Sequence, residues 1–537
     1  MTFLHIPRMN SRMMATPTSI KTLPTFSLGL NDQTDPSDIN DAEVADIENF
    51  SIDEGVLKTA PGYVCTDSAP QSHPGPYWGG FTFIKANGTI KHIRQRQNIL
   101  EYSADGITWT ACTMPGTVAT LTQVQPCFAA LNDTVICTNG TESVISSTDG
   151  ITWTAQASLP KSKVVFENAK NRLLYLAQTG TNGQYRFDWS DINQPLTVQA
   201  ASYELVDPNN NGMVIGAALT PDGTSLIHKE GGVYSVADIV DDGIVDINFI
   251  GKATCINHHT IATTNNSVIW AGYSGVYEYM GGTIQNIFGH INPLGRNNSS
   301  STSLFCGAFF NNKYHLSMPD TTVSTTYNSQ EYIIYKKIVR SDAVQPYVIT
   351  RNKRYFGCYW VADSTASGTR NMTLYVGDSR PVSTTGSPAQ YVNTLFGWVN
   401  DYRNPTLGGL NGSAQTCYFT TKYFTEGIPY YSKKFKRLFS YISLSQTTGI
   451  TLSYRFLPTG GWVDMATSVQ ASAMEFSEGY DFSEGYSFIQ DTSGTVFVDI
   501  NNPEKPRGIQ FKISLSTTKD LSILSMAFSF LPKLKFK

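Results

Sequence analysis

Charged side chains are scarce in this chain. Asp, Glu, Lys and Arg make up 15% of its 537 residues, whereas globular proteins average about 25%. The two signs nearly cancel, and the formal net charge is −4. This balance excludes a general attraction of the whole chain for nucleic acid, which requires a basic face. The near-neutral charge is still compatible with the wall of a channel along which DNA slides without adhering.

Long apolar runs and paired cysteines are also lacking. No stretch approaches the roughly 18 apolar residues of a transmembrane helix, and residues 1–20 lack the apolar core of a signal peptide. We therefore expect no membrane-spanning segment and interpret residues 1–20 as a mobile arm. The eight cysteines include no Cys-x-x-Cys pair, which indicates reduced, buried thiols of a protein made in a cytoplasm.

Turn-forming and β-forming residues are abundant instead, with 43 glycines and 12% aromatic residues. This composition predicts an all-β protein, and the length predicts two or three domains.

An internal repeat indicates the architecture. Ser103–Ala111 reads Ser-x-Asp-Gly-Ile-Thr-Trp-Thr-Ala and returns 44 residues later as Ser147–Ala155. Gly232–Val236 likewise returns 43 residues later as Gly275–Tyr279. A period of about 40–45 residues is the length of a four-stranded propeller blade. Asp-Gly predicts a two-residue hairpin, in which both central residues need positive φ. Further hairpin signals are Asn87-Gly88, Asn139-Gly140, Asn182-Gly183 and Asn311-Asn312.

These signals divide the chain. Residues 75–390 have room for a β-propeller of six or seven blades. A turn-rich connector follows at 391–415, and long alternating strands over 416–537 predict an antiparallel β-sandwich.

Residues 21–74 form what we call the entry segment. Asn40 and Glu43 fit a capping box, which predicts a short helix over Asp41–Glu48. Val44 and Ile47 would share one face of that helix and dock it on the larger body. A hairpin follows, with its turn at Asp53–Gly55, and Pro61-Gly62 ends the segment.

The amino-acid sequence of residues 26–63 resembles the N-terminal segment of bacteriophage virion proteins that are built on a β-propeller. The best known of these proteins form the tail hub or nozzle of short-tailed phages. The residues that carry the resemblance are Gly29, Asn31, Asn49, Gly55, Pro61 and Gly62. Three phrases near the end, over 433–444, 506–515 and 521–530, resemble the C-terminal halves of the same proteins.

The resemblance implies a structural protein of the virion tail, made in the host cytoplasm. It would form a ring, commonly of six copies, below the portal and adaptor proteins, continue the channel for double-stranded DNA, retain DNA until ejection, and support fibres or spikes. It implies no sequence-specific DNA binding, no enzyme activity and no cofactor. Two alternatives stay open: a receptor- or glycan-binding propeller of a tail fibre, and a sialidase-like glycosidase.

No motif predicts a catalytic, cofactor-binding or metal-binding residue. The Ser-x-Asp-Gly-x-Thr-Trp pair resembles the Asp-box of sialidase-like propellers, but with one residue fewer between Asp and Gly, and that motif is a structural hairpin. Adjacent residues on a strand face opposite ways, so His258 and His259 would not share a metal ion. We expect these histidines, His228 and His315 to be packing residues. We interpret Asp238, Asp241 and Asp242 as solvated turn acids, with cation binding as the alternative.

Four basic clusters remain. We expect each to be a solvated face or a protected edge strand, with contact to phosphate or to an acidic neighbouring subunit as the alternative. The clusters are Lys91–Arg96, Arg351–Arg354, Lys433–Arg437, and Lys533 with Lys535 and Lys537.

Overall fold

A computed structural model describes residues 19–23, 25–53, 56–69, 72, 76–180, 182–237, 239, 245–288, 302–336, 347–366, 369–380, 395–398, 415–425, 433–444, 450–469, 492–500, 506–517 and 521–532. Regular structure in these residues is β-strand apart from short 3-10 turns. The predicted arm and connector lie mostly outside them. The N-terminal part supplies six strands: β1 (Ser19–Leu23), β2 (Gly29–Leu30), β3 (Glu43–Glu48), β4 (Phe50–Asp53), β5 (Val56–Thr59) and β6 (Tyr63–Cys65).

Consecutive antiparallel strands then build the blades. Blade 1 comprises β7 (Tyr77–Ile84), β8 (Ile90–Arg96), β9 (Ile99–Ser103) and β10 (Thr110–Ala111). Blade 2 comprises β11 (Cys127–Leu131), β12 (Thr134–Thr138), β13 (Ile145–Ser147) and β14 (Thr154–Ala155). Blade 3 comprises β15 (Ser162–Glu167), β16 (Leu173–Gln178), β17 (Arg186–Trp189) and β18 (Tyr203–Leu205). Blade 4 comprises β19 (Val214–Leu219), β20 (Ser225–Lys229), β21 (Val233–Ala237) and β22 (Asp246–Gly251).

Three further blades follow. Blade 5 comprises β23 (Ala262–Thr263), β24 (Val268–Gly272), β25 (Gly275–Met280) and β26 (Thr283–Asn286). Blade 6 comprises β27 (Cys306–Phe310), β28 (Lys313–Met318), β29 (Gln330–Lys336) and β30 (Tyr347–Asn352). Blade 7 comprises β31 (Phe356–Ala366), β32 (Thr369–Asp378) and β33 (Leu395–Trp398), and β6 completes it as the outermost strand.

The seven sheets form a closed ring. The first strand of each blade contacts the first strand of the next, and β31 of blade 7 contacts β7 of blade 1. The protein is therefore a β-propeller with seven blades, within the six or seven that the repeat period predicts. Both repeat pairs fall on third strands: Ser103 and Ser147 end β9 and β13, whereas the other pair lies at β21 and β25.

The strand that completes blade 7 comes from the other end of the ring. β6 pairs antiparallel with β33, and Tyr63 lies opposite Trp398. Because this strand precedes blade 1 in the chain, the pairing joins the first part of the propeller to the last. The entry segment therefore closes the propeller.

The remaining strands are β34 (Gln415–Thr421), β35 (Lys433–Leu444), β36 (Ile450–Arg455), β37 (Val463–Val469), β38 (Thr492–Asp499), β39 (Gln510–Thr517) and β40 (Leu521–Pro532). They join the entry strands in two six-stranded sheets, which we call the paired sheets. Sheet A contains β1, β4, β5, β35, β38 and β40, and sheet B contains β2, β3, β34, β36, β37 and β39. Both sheets contribute to one hydrophobic cluster, in which the rings of Phe511 and Phe528 lie 5.4 Å apart. The paired sheets thus draw strands from the entry segment as well as from the range 416–537.

The predicted helix over Asp41–Glu48 is wrong, because these residues lead into and form β3. The capping-box contact does form: the Asn40 N–H donates to Glu43 Oε2 at 2.7 Å. Pairing of β3 with both β2 and β34 overrides the local helix signal. A register shift between Val44 and Asp46 lets Val44 and Ile47 both face the core, so a β-bulge produced the three-residue spacing that would have placed them on one face of the predicted helix.

The hairpin predictions hold in part. Asn311 and Asn312 both have positive φ, at 49° and 58°, and join β27 to β28 as a two-residue turn. At the Asp-Gly repeats only the glycines have positive φ, 72° at both Gly106 and Gly150. The predicted two-residue turn is therefore wrong at these positions.

A longer, side-chain-stabilised loop replaces that turn. Asp105 Oδ1 accepts the N–H groups of Ile107 and Thr108, each at 2.8 Å. Although partial burial opposes ionisation, these N–H donors lower the pKa of Asp105 to about 2. Asp149 accepts the corresponding bonds in the second copy, so the repeat is a structural loop, as expected of an Asp-box-like motif.

Candidate functional site: the junction of the entry segment

The side chain of Asn49 connects the propeller to the paired sheets. Its Oδ1 accepts the Lys353 N–H at 3.0 Å and Arg354 Nη1 at 3.3 Å, both just after β30 of blade 6. Its Nδ2 donates to the carbonyl of Thr416 on β34 at 2.7 Å. Asn49 sits between β3 and β4 with a left-handed φ of 58°, a conformation that Asn tolerates better than most residues.

Arg351 forms a second link across the same junction. Its Nη2 donates to Asp46 Oδ1 at 2.6 Å, and the Tyr418 hydroxyl donates to the other Asp46 oxygen at 3.2 Å. Burial alone would lower the pKa of Arg351, but the Asp46 carboxylate raises it. The cation therefore stays charged and holds β3 against blade 6.

Three other residues that carry the resemblance to phage tail proteins also make structural contacts. Gly29 has a φ of +80°, and a Cβ there would lie 2.6 Å from the Ile349 carbonyl oxygen on β30. Arg354 Nη2 donates to the carbonyl of Pro61 at 3.4 Å. The Asn31 amide donates to the Glu43 carboxylate at 3.1 Å. Gly55 lies outside the described residues.

A buried carboxylate ties the closing strand to blade 6. Glu331 on β29 accepts the hydroxyl of Tyr63 at 3.3 Å and that of Tyr359 at 3.1 Å. His315 Nδ1 lies 3.0 Å from one of its oxygens, and Asn352 donates to the other at 3.1 Å. Burial alone would raise the pKa of Glu331, but His315 and the other donors lower it. His315 is thus an internal polar partner rather than an apolar packing residue.

Side chains meet across the central axis of the propeller. Gln125, which precedes β11 of blade 2, accepts the Asn257 amide of blade 5 at 2.7 Å. Gln125 Nε2 also donates to the carbonyls of Phe305 and Gly357, which belong to blades 6 and 7. Because blades 2 and 5 lie on opposite sides of a seven-bladed ring, these bonds cross the axis.

His258 and His259 lie beside this crossing, on a 3-10 turn rather than the expected strand. Their ring centroids are 5.4 Å apart. His258 Nε2 lies 3.3 Å from Cys127 Sγ, and the Ala217 N–H donates to its Nδ1 at 3.5 Å. Desolvation deep between the blades lowers the pKa of His259 to about 4 and that of His258 further. Both are neutral at pH 7 and pack the axis.

His228 is buried against the ring of Trp270, with centroids 4.7 Å apart. Neither of its ring nitrogens has a hydrogen-bond partner in the described part of the chain, and burial lowers its pKa to about 3. It is a packing residue, as predicted. Across the ranges the structure describes, no group of three or more His, Cys, Asp or Glu side chains is arranged to hold a metal ion. Asp238, Asp241 and Asp242 lie outside those ranges.

The expectation of a solvated face is wrong for the first basic cluster. Arg94 is fully buried and donates to Asp67 at 2.8 Å and to Glu101 at 2.7 Å. Arg96 donates to the same Glu101 at 2.7 Å, and the Arg94 guanidinium stacks 3.9 Å above the Trp109 ring. This cluster is an internal ion-pair network of blade 1.

The other basic clusters divide between core and surface. Arg351 and Arg354 are buried in the junction, contrary to expectation, and Lys353 is exposed. Lys433 is also buried, and its Nζ donates to the Arg507 carbonyl at 3.0 Å. Lys434 and Lys436 are exposed on sheet A, as predicted. Lys533, Lys535 and Lys537 lie outside the described residues.

Sequence reasoning missed several of these partners. Lys229 is buried and donates to the carbonyls of Val206, Asp207 and Asn210, at 2.9, 2.6 and 2.6 Å. Like Glu331 and Gln125, Lys229 lies in a stretch of sequence without a distinctive motif, and its hydrogen-bond partners are many residues away. A single sequence holds no local signal for such contacts.

No protein-family model and no curated protein matches this chain. Solved structures match at low similarity. "YCF48 bound to D1 peptide" is 11% identical over 72% of this chain and 97% of that chain, with a TM-score of 0.35. A glycoside hydrolase is 9% identical over 86% and 99% of the two chains, with a TM-score of 0.26. The extracellular domain of BT4673 from B. thetaiotaomicron is 12% identical over 62% and 49%, with a TM-score of 0.33. Likenesses this weak carry no functional argument.

The thiols agree with the sequence expectation where they are described. Seven cysteines are free, of which Cys112 is half-buried and the other six are buried. Burial raises the pKa of Cys112 to about 12, so it is not an activated thiol. None of the helical turns in the described ranges has the length and hydropathy needed to cross a bilayer.

Proposed function

We propose that this chain is a non-enzymatic structural component of a phage tail. It would form a hub or nozzle ring of six copies around one DNA channel, below the portal and adaptor, and would support fibres or spikes. The observation that carries the proposal is the position of the entry segment. The stretch that resembles phage tail proteins closes the propeller and completes both paired sheets.

The polar groups at the junction also support a mechanical role. Three buried residues are hydrogen-bonded to partners that lie 367, 305 and 268 positions away in the sequence, namely Asn49, Arg351 and Glu331. A ring that retains DNA under load needs its subunit to transmit force without separating into two bodies. Buried, charge-assisted links of this kind are costly to break, because each leaves a charge unpaired.

The two alternatives make different demands on the molecule. A glycan-binding propeller needs an accessible pocket for its ligand, and a glycosidase needs two accessible carboxyl groups about 5–9 Å apart. Two buried carboxylates with several partners, Glu101 and Glu331, are enclosed by Arg, His and Tyr side chains. This enclosure favours the structural role for those groups.

Native mass spectrometry of the full purified chain, combined with a glycan array and a glycosidase panel, tests the proposal. We expect a single closed oligomer, without glycan turnover. Turnover that is lost when one carboxylate is changed would overturn the proposal in favour of the glycosidase. Specific glycan binding by a monomer would overturn it in favour of the receptor-binding module.

A further inference from the structure

The outer face of sheet B carries a cation, Lys512, that lies against aromatic rings. Lys512 on β39 places its ammonium 4.6 Å from the Tyr418 ring centroid and 5.9 Å from that of Trp462. The ammonium makes no hydrogen bond or ion pair with any residue that the structure describes. Aromatic faces stabilise a cation there but leave its N–H donors available.

A second cation adjoins the first. The Arg455 guanidinium lies 4.5 Å from the Trp462 ring centroid, and its Nε donates to Gln510 at 2.7 Å. The nearby carboxylate of Asp46 is bound to Arg351 and Tyr418, as described above. We call Arg455, Trp462 and Lys512 the cation cluster.

Exposed apolar side chains surround the cation cluster. Leu457 is 64% exposed and Val463 is 50% exposed, and they flank the loop that carries Trp462. Trp, Tyr and Arg are enriched in the central part of protein–protein interfaces. The surface therefore fits a protein partner that brings a carboxylate.

The same end of the paired sheets presents such carboxylates. Asp35 and Asp38 are exposed in the turn before β3 and form no ion pair within the described ranges. The Ser37 hydroxyl and N–H lower the pKa of Asp35, so it is ionised at neutral pH. By contrast, the neighbouring Asp41 is neutralised by Lys21 and Lys422. We call Asp35–Asp38 the acidic turn.

The acidic turn and the cation cluster flank one residue. The Tyr423 N–H donates to the Pro36 carbonyl at 2.8 Å, and its hydroxyl donates to the Phe456 carbonyl at 2.7 Å. The two charged surfaces are therefore close neighbours, yet no ion pair joins them within one described chain. A neighbouring copy of the chain can bring the opposite charge to either surface.

We propose that the cation cluster is a copy-to-copy contact, which takes the acidic turn of a second copy of this chain. The inference rests on the proposed function in one respect, namely that copies associate. It adds that the cation cluster of one copy contacts the acidic turn of another. Complementary charge of this kind sets the register of an interface and excludes wrong partners. The exposed side chains of Leu457 and Val463 would supply buried apolar area.

Charge reversal in two separate variants tests the contact. One variant carries Arg455→Glu with Lys512→Glu, and the other carries Asp35→Lys with Asp38→Lys. Each alone places like charges at the interface, so we expect its dissociation constant for self-association to rise by about 10- to 100-fold in sedimentation velocity. An equimolar mixture restores opposite charges at every contact, so we expect association near that of the wild type.

The controls are Lys434→Glu on sheet A and Asp246→Lys on β22, which are exposed residues away from both surfaces. Each changes the net charge by as much as one of the two substitutions in a double variant, and both should associate like the wild type. Thermal melting identifies any variant that fails to fold, and Lys512→Glu alone then replaces the double variant. Raising salt from 0.15 to 1 M should weaken association, because the Debye length falls from about 8 to 3 Å.

Three results would overturn the contact. If both variants assemble like the wild type, the copies meet elsewhere, and the proposed ring stands without this contact. If the mixture fails to recover association, the surfaces do not meet each other. If the cation-cluster variant assembles normally but loses binding to an acidic oligosaccharide, its occupant is a sugar carboxylate rather than a second copy.

Discussion

The Tyr63 hydroxyl lies 3.3 Å from a carboxylate oxygen of Glu331, which joins the strand that closes the propeller to the sixth blade. Three further side chains, His315, Asn352 and Tyr359, contact the same carboxylate. The closing strand is thus held by a polar cluster as well as by its pairing with β33. This cluster makes the closure of the ring directly testable.

Replacing Glu331 should weaken the closed ring far more than replacing Tyr63. Glu331→Ala leaves several buried donors without an acceptor, and we expect it to lower the free energy of unfolding by about 3–5 kcal/mol. Tyr63→Phe removes one of several donors and should cost about 1 kcal/mol. Urea unfolding followed by tryptophan fluorescence measures both. Equal, small effects would show that the carboxylate cluster does not hold the closure.

The close approach of Gly29 to blade 6 predicts a steric effect. Gly29→Ala would place a Cβ 2.6 Å from the Ile349 carbonyl oxygen, at a φ of +80°. Gly88→Ala is the matched control, because its φ is +83° but nothing lies within 4 Å of the new Cβ. Both variants carry the cost of a left-handed alanine, about 1–2 kcal/mol.

Only Gly29→Ala should also separate the entry segment from β30. We therefore expect its melting temperature to fall several degrees further than that of Gly88→Ala. Equal melting temperatures would mean that the segment does not pack on Ile349 as described.

The Asn49 side chain should matter beyond its backbone conformation. Asn49→Gly keeps the left-handed φ of 58° accessible but removes the bonds to Thr416, Lys353 and Arg354. Asn49→Ala removes the same bonds and adds strain of about 1–2 kcal/mol. We expect both to lower the free energy of unfolding, the alanine variant more. A glycine variant as stable as the wild type would exclude a role for the amide.

The buried histidines predict a loss of stability in acid. The pKa of His228 is about 3 and that of His259 about 4 in the folded protein, whereas an unfolded histidine titrates near 6.5. Below pH 6.5 the unfolded chain therefore binds more protons than the folded one, and stability falls as pH falls towards these folded values. Each histidine contributes at most about 1.4 kcal/mol per pH unit.

His228→Phe isolates one of these protons. The ring has no hydrogen-bond partner to lose in the described structure, so we expect little change at pH 7 and a gain over the wild type at pH 5. Melting temperatures from pH 7.5 to 4.5 measure the difference. A variant whose pH profile parallels that of the wild type would contradict a neutral, buried His228.

Much of the propeller was predictable because its signals are local. Repeats such as Ser103–Ala111 and turns such as Asn311-Asn312 lie within single hairpins, so their spacing reports the blade period. The use of β6 in blade 7 was not predictable, because Tyr63 and Trp398 are far apart in sequence. The same holds for the junction. Val44 and Ile47 fitted one face of the predicted helix only because a bulge at a long-range pairing reproduces helical spacing.

The predictions for the basic clusters at Arg94 and Arg351 were wrong for a related reason. Arg94 and Arg351 look like surface charges in the sequence, since isolated arginines are rarely buried. Their partners are supplied by other segments of the chain: Asp67 and Glu101 bind Arg94, and Asp46 binds Arg351. Only the three-dimensional pairing shows that these charges are internal.

Single-particle imaging of the full purified chain shows whether the protein assembles into a tail ring. We expect rings with rotational symmetry, six copies, and a central hole wide enough for duplex DNA that lies between propellers rather than within one. Particles that remain single propellers at every concentration, together with specific binding or turnover of a glycan, would contradict a tail hub or nozzle.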